Sequence, residues 1–185
     1  MKVVGLLLAG GQSRRMGGGD KALRMLGGTT LLERVIERLR PQVDALVLNA
    51  NGDPSRFARF ALPVVPDSIP GFAGPLAGVL AGLDWAAAQG PDYMYIVSVA
   101  TDAPFLPDDL VMRLTNGLME AGADLACAPS GGRAHPVFGQ WPARWTGRHR
   151  LMTVPFADMP VGPFFNANRP ADSEAAASPL KRIRD

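Results

Sequence analysis

The sequence predicts an α/β fold, a three-layer doubly wound architecture with a mostly parallel sheet and helices on both faces. Three observations carry this. Short apolar runs alternate with segments of helical period through most of the chain, the order that builds a parallel sheet. The first run, residues 2–8, is almost continuously apolar, as a strand covered on both faces must be. It stops at glycines, where a sheet of this kind places its ligand loop.

A chain of 185 residues with 47% hydrophobic side chains suits one domain with a real core, assigned to residues 1–172, followed by a polar tail, 173–185, expected to be mobile. Nineteen basic residues against seventeen acidic ones give a formal charge of +2, a near balance that argues against nucleic acid as the main partner. The single cysteine, Cys127, cannot form an internal disulfide and lies in an apolar run. It reads as a buried structural residue of a cytoplasmic protein. The apolar start "MKVVGLLLAGG" is short and charge returns at Arg14 and Arg15, so no targeting or membrane-spanning segment is expected.

The elements follow in order. "TTLLERVIERLR" reads as a helix, with capping-box spacing at Thr30 and Glu33 and Leu32, Val35, Ile36 and Leu39 on one face. "ALVLNAN", 45–51, is the second strand, 52–61 a short helix or loop, and "LPVVPDS" a short strand with a turn. "GPLAGVLAGLDWAAAQG" is a helix with Pro75 in its first turn and Gly90 at its stop. "DYMYIVSVA" is a buried strand leading into "TDAPFLP", "PDDLVMRLTNGLMEAG" a helix, and "ADLACAPS" and "HPVFGQW" strands.

The loop "AGGQSRRMGGGDK" combines glycines with Arg14, Arg15 and Lys21. Glycines let the backbone approach a ligand, and the cations can grip phosphate, so the loop describes a polyphosphate site. The GxxxxGK[ST] pattern is absent and the loop lacks GxGxxG spacing, which excludes a P-loop NTPase and a simple dinucleotide-binding dehydrogenase. Asp102, just past a strand, suits Mg²⁺, which takes one or two carboxylates with phosphate oxygens and water. Asp67 also ends a strand; a turn aspartate is the plain alternative. Asn49 and Asn51 close the second strand with side chains that donate and accept, as base recognition requires; Asn51 can equally be a turn residue. Two distant histidines and one cysteine give no zinc pattern.

The stretch "LLLAGGQSRRMGGGDKAL" resembles the LAGGxSxRMGxDK motif of the sugar-nucleotide-type nucleotidyltransferases, and within them the molybdenum cofactor guanylyltransferases. The similarity extends through "VLNAN", "VVPDS", "GPLAG", "TDAPFL", "HPVFG" and "FFNANRPAD". It implies a Rossmann-like, glycosyltransferase-A-like nucleotidyltransferase fold. It also implies Mg²⁺-assisted transfer of GMP from GTP to the phosphate of molybdopterin or molybdenum-molybdopterin, with pyrophosphate leaving. Delivery of the product would involve molybdoenzymes or their chaperones. By the same resemblance, Leu8, Ala9 and Gly10 meet guanine and ribose through backbone groups, and Gly11 borders the phosphates. Arg15 and Lys21 hold the triphosphate, Asn49 and Asp67 the nucleoside, and Asp102 the metal. Asn166 and Asn168, which match the family's NxN motif, complete the metal site or orient the acceptor, with a turn role as the plain alternative. His135 can bind the anionic acceptor or donate to a phosphate, and can equally be a structural histidine before Pro136.

The chain departs from the family in two places. "RPAD" stands where "TPED" is usual, and the interval between "HPVFG" and "FFNAN" is short by about one helix, which leaves acceptor contacts there open. Two other readings stand beside the first. A cytidylyltransferase acting on the same cofactor, or another nucleotidyltransferase of this kind, would share the fold, and a non-catalytic nucleotide-binding adaptor would share it without turnover.

Overall fold

Strand β1 (Lys2–Leu8) shows how the sheet acquires two buried faces. Val3 and Leu7 enter one apolar cluster while Val4 and Leu6 enter another, the alternation of a strand covered on both sides. The computed structural model describes residues 2–9, 20–69, 74–130, 133–143, 150–157 and 162–164. After β1 come a small hairpin, β2 (Met25–Leu26) and β3 (Thr29–Thr30), then α1 (Leu31–Leu39), β4 (Ala45–Asn49) and β5 (Val64–Val65). Next are α2 (Pro75–Gln89), β6 (Tyr93–Ala100), α3 (Leu110–Ala121), β7 (Leu125–Ser130), β8 (Arg133–Pro142) and β9 (Leu151–Thr153).

Seven strands form one sheet in the order β5-β4-β1-β6-β8-β7-β9. β1 pairs in parallel with β4 and β6, β4 with β5, and β7 with β9; only β8 runs antiparallel to its neighbours. α1 and α3 supply Leu32, Val35, Leu39, Leu110 and Leu114 to one cluster, and α2 supplies Val79, Leu83 and Ala86 to the other. Helices therefore cover both faces, and the three-layer, mostly parallel architecture expected from the sequence is what the chain adopts.

Helix α1 starts where its cap requires. Thr30 Oγ1 accepts from Glu33 N at 3.2 Å, and Glu33 Oε2 accepts from Thr30 N at 2.7 Å, the reciprocal pairing that satisfies two orphan donors. α2 turns Ala77, Gly78, Ala81 and Gly82 toward the sheet, so its backbone lies close to β1 and β4.

Several local expectations change. Residues 54–60 form a 3-10 helix, and the second strand ends at Asn49. The expected strand 135–141 spans Arg133–Pro142 and inserts between β6 and β7. Two residues separate β7 from β8, and a parallel return needs a crossover of a dozen or more. Gly131-Gly132 is a hairpin signal in the sequence that the strand-helix alternation masked. The β2–β3 hairpin and β9 have too few residues to show a period.

Candidate functional site

In the sheet, β1 has β4 on one side and β6 on the other, so the chain order reverses there. Ligands of open α/β sheets bind outside the carboxyl ends of the strands at such a point. Leu8 ends β1 and Ala9 follows it, Asn49 ends β4, Asp67 follows β5 by two residues and Asp102 follows β6 by two. Because these four strands are parallel, all five residues sit along one edge.

On the β6 side, Lys21 Nζ forms an ion pair with Asp102 Oδ2. Their side chains are only 20% and 17% exposed, so solvent and salt screen the pair weakly. Lys21 opens a short 3-10 turn, Lys21–Leu23, which returns the glycine loop to the body of the protein. Asp102 is held at the strand end by its neighbour: Thr101 N and Oγ1 both donate to Leu8 O, at 3.3 and 3.2 Å.

On the β4 side, Asp67 is gripped through its whole carboxylate. Asn49 Nδ2 donates to Oδ1 at 3.0 Å, Asn51 Nδ2 donates to Oδ2 at 2.7 Å, and Asp67 N donates to Asn51 Oδ1 at 2.9 Å. Asn49 is buried and also donates to Val65 O at 3.3 Å. Its amide thus orients Asp67 from beneath, while the half-buried Asp67 faces the edge. Asn51, which the sequence left between a site role and a turn role, is part of this network.

The expected backbone contacts of Leu8 and Ala9 are narrowed. Leu8 O is taken by Thr101, and Ala9 N donates to Asn49 O at 2.9 Å. These groups fix the strand ends to one another. The ring of His135 packs against Phe138 and Phe164, with centroids 6.2 and 5.3 Å away. A shift of register between β7 and β8 pairs His135 with Ala128 although Gly139 pairs with Cys127, which draws it back along the sheet. Its backbone N–H also reaches the buried Cys127 thiol, whose pKa burial pushes up despite that contact and one from Ala128. The buried structural role expected for Cys127 agrees with this. Gly10, Gly11, Arg14, Arg15, Asn166, Asn168 and the tail 173–185 lie outside the described residues.

The donor set bears on a metal. Among the described residues no group of three or more His, Cys, Asp or Glu side chains could cage an ion. Asp102 fits a different kind of site, one carboxylate with substrate phosphates and water as the remaining ligands. Asp20 and Arg56, which motif reading passed over, join the same edge: Arg56 Nε lies 2.7 Å from Asp20 Oδ2. Asp20 directly precedes Lys21 in the motif, which was its one signal; Arg56 had none, because its partner is 36 positions away. No helix among the described residues is long and apolar enough to cross a membrane.

A parallel sheet with a cation–carboxylate pair at its switch point defines a nucleotide-handling class, and the family comparison gives the same class. The family model described as MobA-like NTP transferase domain matches residues 5–153, and the chain belongs to that family of nucleotidyltransferase enzymes. A molybdenum cofactor guanylyltransferase from Bradyrhizobium sp. (strain ORS 278) is 52% identical over 202 residues, covering 99% of this chain and 95% of the relative. That alignment is longer than this chain, so the relative carries residues with no counterpart here. Among solved structures, the molybdopterin-guanine dinucleotide biosynthesis protein A from Archaeoglobus fulgidus superposes with a TM-score of 0.72 at 21% identity, covering 97% of this chain and 99% of its own. A Mycobacterium tuberculosis H37Rv protein in complex with manganese gives 0.67 at 18% identity, covering 96% and 99%. At these identities the structures attest the fold.

Proposed function

We propose that the protein transfers GMP from GTP to the terminal phosphate of molybdenum-molybdopterin in the cytoplasm. The observation that carries this is the Lys21–Asp102 pair at the switch point, in a chain half identical to a molybdenum cofactor guanylyltransferase along its length. An oxygen of the acceptor phosphate attacks the α-phosphorus of GTP in line. The bond from that phosphorus to the bridging oxygen breaks, and pyrophosphate leaves with the electron pair.

The residues divide the work. Lys21, with Arg15, neutralises the triphosphate and the departing pyrophosphate, which is where negative charge accumulates. Asp102 carries Mg²⁺, and the metal supplies further neutralisation of phosphate charge when bound; the manganese found in the mycobacterial neighbour supports a divalent cation. Lys21 keeps the Asp102 carboxylate paired until substrate and cation arrive. Asp67, oriented by Asn49 and Asn51, offers an acceptor-only group that matches the N–H edge of guanine or ribose hydroxyls. Leu8, Ala9, Gly10 and Gly11 wall the nucleotide. His135, Asn166 and Asn168 face the acceptor.

Pyrophosphate release is to be followed with Mg²⁺ and a molybdopterin-type acceptor, comparing GTP, CTP and ATP. GTP consumption that depends on acceptor and stops with chelator supports guanylyl transfer. Preference for CTP moves the protein to the cytidylyl activity, and nucleotide binding without turnover makes it an adaptor. Lys21→Ala and Asp102→Asn should each lower kcat by about 10²–10³-fold, the usual cost of one charge-stabilising contact in a transition state. Normal turnover in both variants would put the active site elsewhere.

A further inference from the structure

We infer that Arg56 is a positioning residue, acting through Asp20 to hold Lys21 in place for the triphosphate. The inference rests on the proposed role of Lys21 and deepens it. Asp20 and Lys21 are adjacent, yet their side chains are held on opposite sides of β1. Lys21 reaches Asp102 beyond β6, and Asp20 reaches Arg56 on the 3-10 helix beyond β4. Residues 20 and 21 are therefore tied down astride β1 by two ion pairs.

Arg56 is built to serve as an anchor. Its Nε lies 2.7 Å from Asp20 Oδ2 as an ion pair whose N–H is not aligned for a hydrogen bond, and its Nη2 donates to Asn51 O. Its guanidinium lies 4.8 Å from the ring centroid of Phe57, itself buried. Gly52 has φ +84°, and a Cβ there would come within 2.9 Å of Arg56 Nη1, so the turn leaves room for the guanidinium. A planar, extended guanidinium can meet a carboxylate, a backbone carbonyl and a ring face together, which a compact lysine ammonium cannot do. The side chains of Arg56 and Asp20 are 30% and 26% exposed, so the pair lies partly out of solvent.

The contacts run on without a break. Asn51, whose carbonyl takes Arg56, also grips Asp67 with its side chain. The chain Lys21, Asp20, Arg56, Asn51, Asp67 joins the phosphate side of the edge to the nucleoside side. A lysine side chain is entropically costly to order, and an anchor on the residue before Lys21 removes part of that cost before substrate binds. An ammonium displaced by about 1 Å loses much of its transition-state contact.

The test is steady-state kinetics with GTP, Mg²⁺ and a molybdopterin-type acceptor, alongside thermal melts. Arg56→Ala should lower kcat/KM for GTP roughly 10- to 100-fold. Asp20→Asn, which leaves Arg56 on Asn51 and Phe57, should reproduce the loss with the melting temperature little changed. In a Lys21→Ala background neither change should cost anything further, because no ammonium remains to be positioned. Arg59→Ala, on the same 3-10 helix but paired with Glu33 at 3.2 Å, should behave as the parent. Parent-like kinetics in Arg56→Ala and Asp20→Asn with an impaired Lys21→Ala would overturn the inference alone. So would an equal further loss in the Lys21→Ala background. Full activity in Lys21→Ala would instead overturn the site reading beneath it.

Discussion

Gly78 has no room for a side chain. A Cβ there would lie 2.8 Å from Leu8 Cδ2 and closer still to Asn49 Oδ1. The last glycine of "GPLAG" thus allows α2 to lie against the amide that orients Asp67. Gly78→Ala should displace Asn49, destabilise the fold by roughly 1–3 kcal/mol, as overpacking usually does, and raise the KM for GTP more than it lowers kcat. Melts and kinetics on the same variant check both parts. At this scale the sequence marked Lys21, Asn49, Asp67 and Asp102, because carboxylates, amides and cations at strand ends carry their chemistry openly. It left Asn51 undecided and missed Arg56, because each acts only through a partner that folding brings to it.

At the scale of the element, α1 owes its start to Thr30 and Glu33. The hydrogen bonds from the backbone and side chain of Thr30 hold the Glu33 carboxyl below the usual carboxylate range. A depressed folded-state pKa means that the contribution to stability is full above the ordinary carboxylate pKa and is lost as pH falls through the lowered value. Thr30→Ala should therefore lower the melting temperature by about 2–4 °C at neutral pH. The gap from the parent should narrow on acidification, because the parent then loses its charged cap as well. A gap unchanged between pH 7 and strongly acid conditions would show that the Glu33 charge plays no part in the cap. This helix was legible in the sequence to its first residue, since a capping box is a local device. Strand β8 was legible as a strand but not in direction, since direction depends on where the next partner lies.

For the whole molecule, the two clusters on either side of the sheet set the stability. Phe138 of β8 is fully buried and stacks with Phe164, ring centroids 4.5 Å apart; Phe164 in turn meets Phe156 at 5.4 Å. These rings join the late segments of the chain to the sheet. Phe138→Ala should cost about 3–5 kcal/mol and lower the melting temperature by roughly 10 °C. The variant should bind GTP normally below its melting point, because the proposed nucleotide edge is the one at β1, β4 and β6. Calorimetry with and without nucleotide separates the two effects.

The sequence by itself determined the alternation of strands and helices, the capped start of α1, the loop of glycines and cations, and the family. Each is written in local period or in contiguous motif. Only the tertiary structure decided that β8 inserts antiparallel between β6 and β7, and that Asn49 and Asn51 share one carboxylate. It alone decided that Asp20 and Lys21 part to opposite sides of β1. The side-chain pairs among them join residues from 16 to 81 positions apart, and pairings over such distances are selected by burial and charge in the folded chain, where no local pattern records them.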